Sequence, residues 1–204
     1  DWSSDVCSSD LPMLGERAEA LNQVGAVLVE RYGGSWGRWV ASCAPALYAS
    51  GDGLLERLPA EFPRFRDVST WNGQRVQIMK LAQLGLWSLH LRLAHDGVAL
   101  LRDPHAATGF ADYILPVAFE VMGIFSYSPE LAARIESGTE ILRDSVEEVE
   151  LRAATIYAVT RLADEMNALR PASAQLIAPQ VDYRLWKAYH ATHRRHHLTR
   201  TVMY

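Results

Sequence analysis

Glycine and proline divide the chain into segments whose apolar residues recur every three or four positions. Residues Leu14 to Tyr32 show this spacing and end at Gly33-Gly34, and residues Val146 to Leu169 show it again, with Ser145 placed to cap the first turn. Such spacing is typical of one face of an α-helix, whereas a strand alternates. The 204 residues, 49% of them hydrophobic, suffice for one sizeable core. We therefore predict an all-α fold with a single helical domain.

The same spacing and the same stop signals place the other elements. Further helices are predicted over residues 35–51, 53–61, 73–95, 117–123 and 129–141, and from about Asp182 onward. Residues 62–67 and 97–109 are predicted to be turns or loops, because proline and glycine interrupt the helical pattern there. We find no strand ladder and no internal repeat.

Residues 1–12 differ in character from the rest of the chain. Their apolar residues follow neither the helical nor the strand period, and they lack the basic start and apolar stretch of a signal peptide. We interpret them as a non-native segment derived from a sequencing adapter, with a flexible native tail as the alternative, and assign residues 13–204 to the helical domain. On this interpretation Cys7 carries no redox argument, and Cys43 alone implies no disulfide.

Charge and hydropathy exclude several classes of protein. The net charge of −4 provides no electrostatic footprint for nucleic acid, and no apolar run is long enough to span a bilayer. We expect a cytoplasmic domain without a nucleic-acid or membrane partner. His193 and His197 have the i, i+4 spacing of a metal site, but arginines surround them and His190 and His196, so we predict a solvated basic tail, no metal and no cofactor.

Two aspartates next to aromatic residues are the candidate functional groups. Asp112 lies between Phe110 and Tyr113, and Asp182 is followed by Tyr183. An aspartate at the start of a helix is commonly a cap for free backbone N–H groups, and the spacing alone does not separate this reading from a site that binds a flat, polar ring. Spacing also leaves two alternatives for Lys80, which is either a surface lysine or a residue that contacts a ligand.

Trp186, one turn beyond Asp182, is expected in the core. Glu148 and Arg152, four residues apart on a predicted helix, would form a pair worth about 0.2–0.5 kcal/mol if exposed. We interpret this pair as scaffold.

Several segments, in their order along the chain, are similar to those of the queuosine salvage protein family. They are Phe62-Pro63-Arg64-Phe65-Arg66-Asp67, Gly73-Gln74-Arg75-Val76, Phe110-Ala111-Asp112-Tyr113, Ser145 to Arg152 and Val181-Asp182-Tyr183. The resemblance runs from about Phe62 to about Lys187. It implies an all-helical fold with likeness to DNA glycosylases, and hydrolysis of queuosine 5′-phosphate to release queuine without a cofactor. Family members are longer, and we expect the additional length at the N-terminus.

The resemblance also implies roles for individual residues. Asp112 would stabilise the ribosyl cation, Asp182 and Tyr183 would bind the base, Phe110 would pack on it, and Lys80 would contact the 5′-phosphate. Lys187 is a further candidate for substrate binding, although some members are expected to have an acidic residue there. Leu81 replaces an expected arginine.

Two other classes of function are weighed against this one. A chain that lacks part of the family's length could be an inactive fragment or a non-enzymatic helical binding module. A DNA-glycosylase-like repair protein is disfavoured, because the chain is acidic and lacks a helix-hairpin-helix loop with paired glycines.

Overall fold

The structure, a computed structural model, describes residues 12–192 and 194–204. Within these ranges the chain forms a single, mainly helical domain, so the predicted fold class is confirmed. The helices are α1 (Leu14–Tyr32), α2 (Trp36–Ala41), α3 (Leu54–Glu61), α4 (Lys80–His95), α5 (Ile114–Val121), α6 (Pro129–Ser137), α7 (Val146–Ala168) and α8 (Ala178–Tyr189). None of them combines the length and apolar character needed to cross a bilayer. The interpretation of residues 1–12 lies almost wholly outside the described residues.

A β-hairpin stands where the sequence predicted the start of a long helix. Strands β1 (Val68–Trp71) and β2 (Gln74–Gln77) pair antiparallel, and α4 begins only at Lys80. Asn72 and Gly73 join the strands with φ of 47° and 74°. Asn-Gly is the preferred two-residue hairpin turn because both residues tolerate positive φ. The prediction of a helix from residue 73, and of a chain without strands, was therefore wrong, and this dipeptide was the overlooked signal.

The second predicted helix is much shorter than expected. It ends at Ala41 rather than near Gly51, because Pro45 has no backbone N–H to donate and its ring would clash with the carbonyl of Ala41, four residues earlier. The carboxylate of Asp103 accepts hydrogen bonds from the backbone N–H groups of Leu47 and Tyr48, at 2.7 and 3.1 Å. These donors follow the break at Pro45, and Asp103 satisfies them in the absence of a helix.

The last helix begins earlier than predicted. Helix α8 starts at Ala178, with Pro179 in its first turn, where the missing N–H of proline costs no helical hydrogen bond. Asp182 is consequently in the second turn, so the predicted helix start near this residue was wrong and the alternative of a helix cap does not apply to it.

Of the three apolar clusters among the described residues, the two larger ones position the site. The first lies between α1 and α4 and is centred on Trp39 and Phe62, both at most 1% exposed. The second joins α5, α7 and α8 through residues such as Phe119, Val159 and Val181. Helix α4 belongs to the first cluster and α8 to the second, so a cavity between these helices lies where the two halves of the domain meet.

Candidate active site

A cavity of about 560 Å³ opens between α4, α8 and the segment that precedes α5. This volume is in the usual range for a small-molecule site. The lining residues are Lys80, Leu84, Trp87, Ser88, Leu91, Phe110, Asp112, Pro179, Gln180, Asp182, Tyr183, Arg184 and Trp186.

Asp112 is both a helix cap and a cavity-lining carboxylate. Its Oδ1 accepts hydrogen bonds from the backbone N–H groups of Ile114 and Leu115, each at 2.9 Å, at the start of α5. No described residue donates a hydrogen bond to Oδ2. Burial raises the pKa of Asp112, against the lowering effect of the two N–H groups and of Lys80. Asp112 can therefore be both a helix cap and a functional carboxylate, because Oδ1 satisfies the backbone N–H groups while Oδ2 faces no donor among the described residues.

Asp182 connects α8 to the segment that carries Asp112. Its Oδ2 accepts a hydrogen bond of 2.6 Å from the backbone N–H of Phe110. The side chain is buried, and this burial raises the pKa of Asp182 to about 7, with a further contribution from the charge of Asp112. A carboxyl with such a pKa changes its protonation near neutral pH, which is a common property of functional sites.

Lys80 extends into the same cavity from the first turn of α4. Burial lowers the pKa of its ammonium group, while the charges of Asp112 and Asp182 act in the opposite direction. One amine and two carboxylates thus share a poorly solvated space, in which their mutual electrostatic effects are stronger than in water.

The walls of the cavity are mostly apolar and partly aromatic. Trp87 and Phe110 are buried, whereas Tyr183 and Trp186 are 58% and 40% exposed. The indole of Trp186 stacks on the ring of His190 at 4.5 Å, so the prediction that Trp186 belongs to the core was wrong. Flat walls around a few polar groups suit a planar ligand with hydrogen-bonding edges.

The predicted site residues fall into two groups. Asp112, Phe110, Asp182, Tyr183 and Lys80 line the same cavity, although they come from three parts of the chain. Lys187 is exposed and does not line it.

A buried ion network, which the sequence did not reveal, supports the start of α4. Arg152 contacts both oxygens of Asp67, at 3.0 and 2.6 Å, and approaches Glu148 at 3.4 Å. Asp67 Oδ2 also accepts the backbone N–H of Lys80, at 3.2 Å. The predicted pair of Glu148 and Arg152 is therefore part of a buried network, consistent with a role as scaffold. Sequence spacing carries no signal for the partner 85 residues away.

Gln83 is a second support that the sequence analysis did not identify. Its Oε1 accepts the backbone N–H of Thr108 at 2.9 Å, and its Nε2 donates to the carbonyl of Ile78 at 3.0 Å. The buried amide therefore connects the end of the hairpin to the segment that leads to Phe110 and Asp112. A polar residue on the otherwise apolar face of a helix was the available signal.

The histidines near the C-terminus do not behave as one solvated tail. His197 is 3% exposed, because the segment around it is held by a hydrogen bond of 2.7 Å from the backbone N–H of Ile141 to the carbonyl of Leu198. The prediction of a solvated tail was wrong for His197, and His193 lies outside the described residues. Within the described ranges, no three His, Cys, Asp or Glu side chains are arranged to hold a metal ion.

Comparison with known proteins places the chain among similar sequences. The family model described as "Queuosine salvage protein" matches residues 3–204. Proteins named queuosine 5′-phosphate N-glycosylase/hydrolase are similar to it: one from Sphaerobacter thermophilus is 35% identical over 96% of this chain and 59% of its own length. Those from Mus musculus and Dictyostelium discoideum are 30% and 31% identical, over 98% and 96% of this chain. The chain spans 62% and 60% of their lengths, so it covers about three fifths of these relatives.

Proposed function

We propose that this chain, which belongs to the queuosine salvage protein family, hydrolyses the N-glycosidic bond of queuosine 5′-phosphate and releases queuine and ribose 5-phosphate. The observation that carries the proposal is the convergence of Asp112, Asp182 and Lys80 on one cavity with aromatic walls. The names of the relatives support the choice of substrate.

Asp112 would act on the ribose. Cleavage of a glycosidic bond passes through an oxocarbenium-like transition state, in which positive charge develops on the sugar. A carboxylate near the anomeric carbon stabilises this state more than the neutral ground state, and so increases the rate. Because Oδ1 is held by two backbone N–H groups, the orientation of Oδ2 is set before the substrate binds. The same oxygen could orient the attacking water.

Asp182 would recognise the base. The guanine-like edge of queuine presents adjacent N–H and NH₂ donors, and an ionised carboxylate can accept both. The hydrogen bond from Phe110 occupies part of Oδ2 and orients the group. Hydrogen bonds from the base favour the charged form, so binding would lower the raised pKa of Asp182. The 7-deaza ring offers no N7 to protonate, so these contacts bind and orient the base, and the proton taken up by the departing ring nitrogen is the one that the attacking water releases.

Phe110 and Tyr183 would pack against the base. Lys80 would place its positive charge near the two carboxylates and on the side of the cavity that faces the phosphate. A role for Lys187 is not supported by its position outside the cavity lining. The absence of a direct nucleic-acid partner and a cytoplasmic location stay predictions from the sequence.

The experiment that tests the proposal is the substitution Asp112→Asn. Asparagine retains an oxygen that can cap α5, so folding should be preserved, but it removes the charge. We expect the release of queuine, measured by liquid chromatography, to fall by about 10²- to 10³-fold, by analogy with the loss of one electrostatic stabiliser. Binding of queuosine 5′-phosphate, measured by thermal shift, should be retained.

The exposed Asp164 on α7 provides a control, because Asp164→Asn should turn over like the wild type. Normal turnover by Asp112→Asn would remove Asp112 from the mechanism. A wild-type chain that binds the nucleotide without releasing queuine would instead support the alternative of a non-enzymatic binding module or inactive fragment.

A further inference from the structure

The lining of the cavity carries two carboxylates, Asp112 and Asp182, and two cationic side chains. Among the residues that line it, Lys80 and Arg184 are the cations. The charges of Asp112 and Asp182 both favour the protonated form of Lys80. This one ammonium group is therefore electrostatically coupled to both carboxylates.

The phosphate group of a nucleotide would add a third anion to this group if it were bound beside Lys80 alone. A phosphate monoester carries about −1.5 to −2 charges at pH 7. Placed next to Lys80, it would also lie close to the two aspartates, in surroundings where burial strengthens repulsion. A second cation, nearer to solvent, would offset this repulsion.

Arg184 has the properties that such a cation needs. It lies two residues beyond Asp182 on α8, lines the same cavity and is exposed. Its Nη1 donates a hydrogen bond of 2.7 Å to the carbonyl of Gln180, and no carboxylate of the described residues forms an ion pair with it. The other N–H groups of the guanidinium stay available, and their planar arrangement matches two phosphate oxygens.

We infer that Arg184 binds the 5′-phosphate of the substrate and thereby makes the site prefer a nucleotide to the corresponding nucleoside, while Lys80 mainly balances Asp112 and Asp182. This inference rests on the proposed function, and it assigns the preference to a residue that the family resemblance did not single out.

Titration calorimetry of the full chain with queuosine 5′-phosphate, queuosine and queuine tests the assignment. The wild type should bind the nucleotide more tightly than the nucleoside. In Arg184→Gln the affinity for the nucleotide should fall by about 10- to 100-fold, the range expected for a lost hydrogen-bonded charge pair. The affinities for queuosine and queuine should not change. Arg184→Lys should have an intermediate effect, because an ammonium group keeps the charge but not the planar pair of donors.

Arg194 offers a matched control. It is exposed, has no ion pair with the described residues, and lines a neighbouring cavity of about 420 Å³ that shares Trp186 with the candidate site. Arg194→Gln should leave the nucleotide preference intact.

If Arg184→Gln keeps the preference, or if Arg194→Gln removes it, the assignment to Arg184 is wrong while the proposed function stands. If the wild type binds none of the three ligands, the proposed function itself fails, and the assignment fails with it.

Discussion

Replacing Asp182 by asparagine should stabilise the folded chain at neutral and alkaline pH while weakening base recognition. Burial and the nearby charge of Asp112 raise the pKa of Asp182 from 3.8 to about 7. A folded-state pKa above the unfolded value means that the protonated form is favoured by folding. The corresponding stability is therefore complete below about pH 4 and is lost as the pH rises through 7. Asparagine cannot ionise, so it avoids this loss, and its amide oxygen can still accept the N–H of Phe110.

The magnitude follows from the two pKa values. Each tenfold change in an ionisation equilibrium corresponds to about 1.4 kcal/mol, so the interval from 3.8 to about 7 amounts to about 4 kcal/mol at most. Urea unfolding of wild type and Asp182→Asn, followed by circular dichroism between about pH 4 and about pH 8, measures it. The free-energy difference between the two proteins should grow with pH and level off above 7.

Two outcomes would contradict this reasoning. A difference that is constant over the whole pH range would mean that Asp182 does not change protonation on unfolding in this interval. A comparable pH-dependent gain in Asp164→Asn, at an exposed position on α7, would mean that the effect reflects net charge rather than burial. Loss of nucleotide binding by Asp182→Asn alone would connect the destabilising charge with recognition of the base.

Two further predictions concern buried ionisable groups outside the cavity. Arg152→Met leaves the carboxylates of Asp67 and Glu148 buried without their partner, and should lower the free energy of urea unfolding by about 3–5 kcal/mol. The control Arg161→Met removes an exposed pair on the same helix, and should cost about 0.5 kcal/mol or less; equal losses would contradict the burial argument. Burial also lowers the pKa of His197 from 6.5 to about 4. Folding therefore favours the neutral imidazole, and this contribution of about 3 kcal/mol to the free energy of unfolding is lost as the pH falls from 6.5 to about 4. Thermal unfolding of His197→Phe should lack this acid-induced loss, and an unchanged pH profile would exclude His197 as its source.

The helices whose ends depend on local chemistry could be predicted from the sequence. Ser145 accepts the backbone N–H of Glu148 and begins α7 at the expected residue. Gly33 ends α1 with φ of 58°, a conformation that glycine adopts without strain. In both cases the deciding contact lies within a few residues of the boundary.

Two element boundaries were predicted wrongly although the sequence carried local signals for them. Helix α2 ends at Ala41 because Pro45 has no N–H to donate and its ring would clash with the carbonyl four residues earlier. At the hairpin before α4, Asn72-Gly73 carried a local signal that competed with the helical spacing of Val76 and Met79. The error there came from giving periodicity priority over turn chemistry.

The sequence identified candidate site residues, but it left a purely structural role open for each of the charged ones. Spacing did not distinguish a cap from a functional carboxylate at Asp112, and the structure shows that one oxygen caps α5 while the other has no donor among the described residues. The supports at Asp67 and Gln83 were missed, because their importance depends on partners that are remote in sequence.

By itself, the sequence determined the helical class of this protein and the residues that resemble a known family, because periodicity, caps and ordered motifs are local properties. Only the tertiary structure decided which of those residues share a cavity. Asp182 meets the backbone of Phe110 across 72 residues, and it acquires its raised pKa from the burial and the neighbouring charge that this meeting creates. Burial and electrostatic coupling depend on distances in space, and the spacing of residues along the chain does not contain those distances.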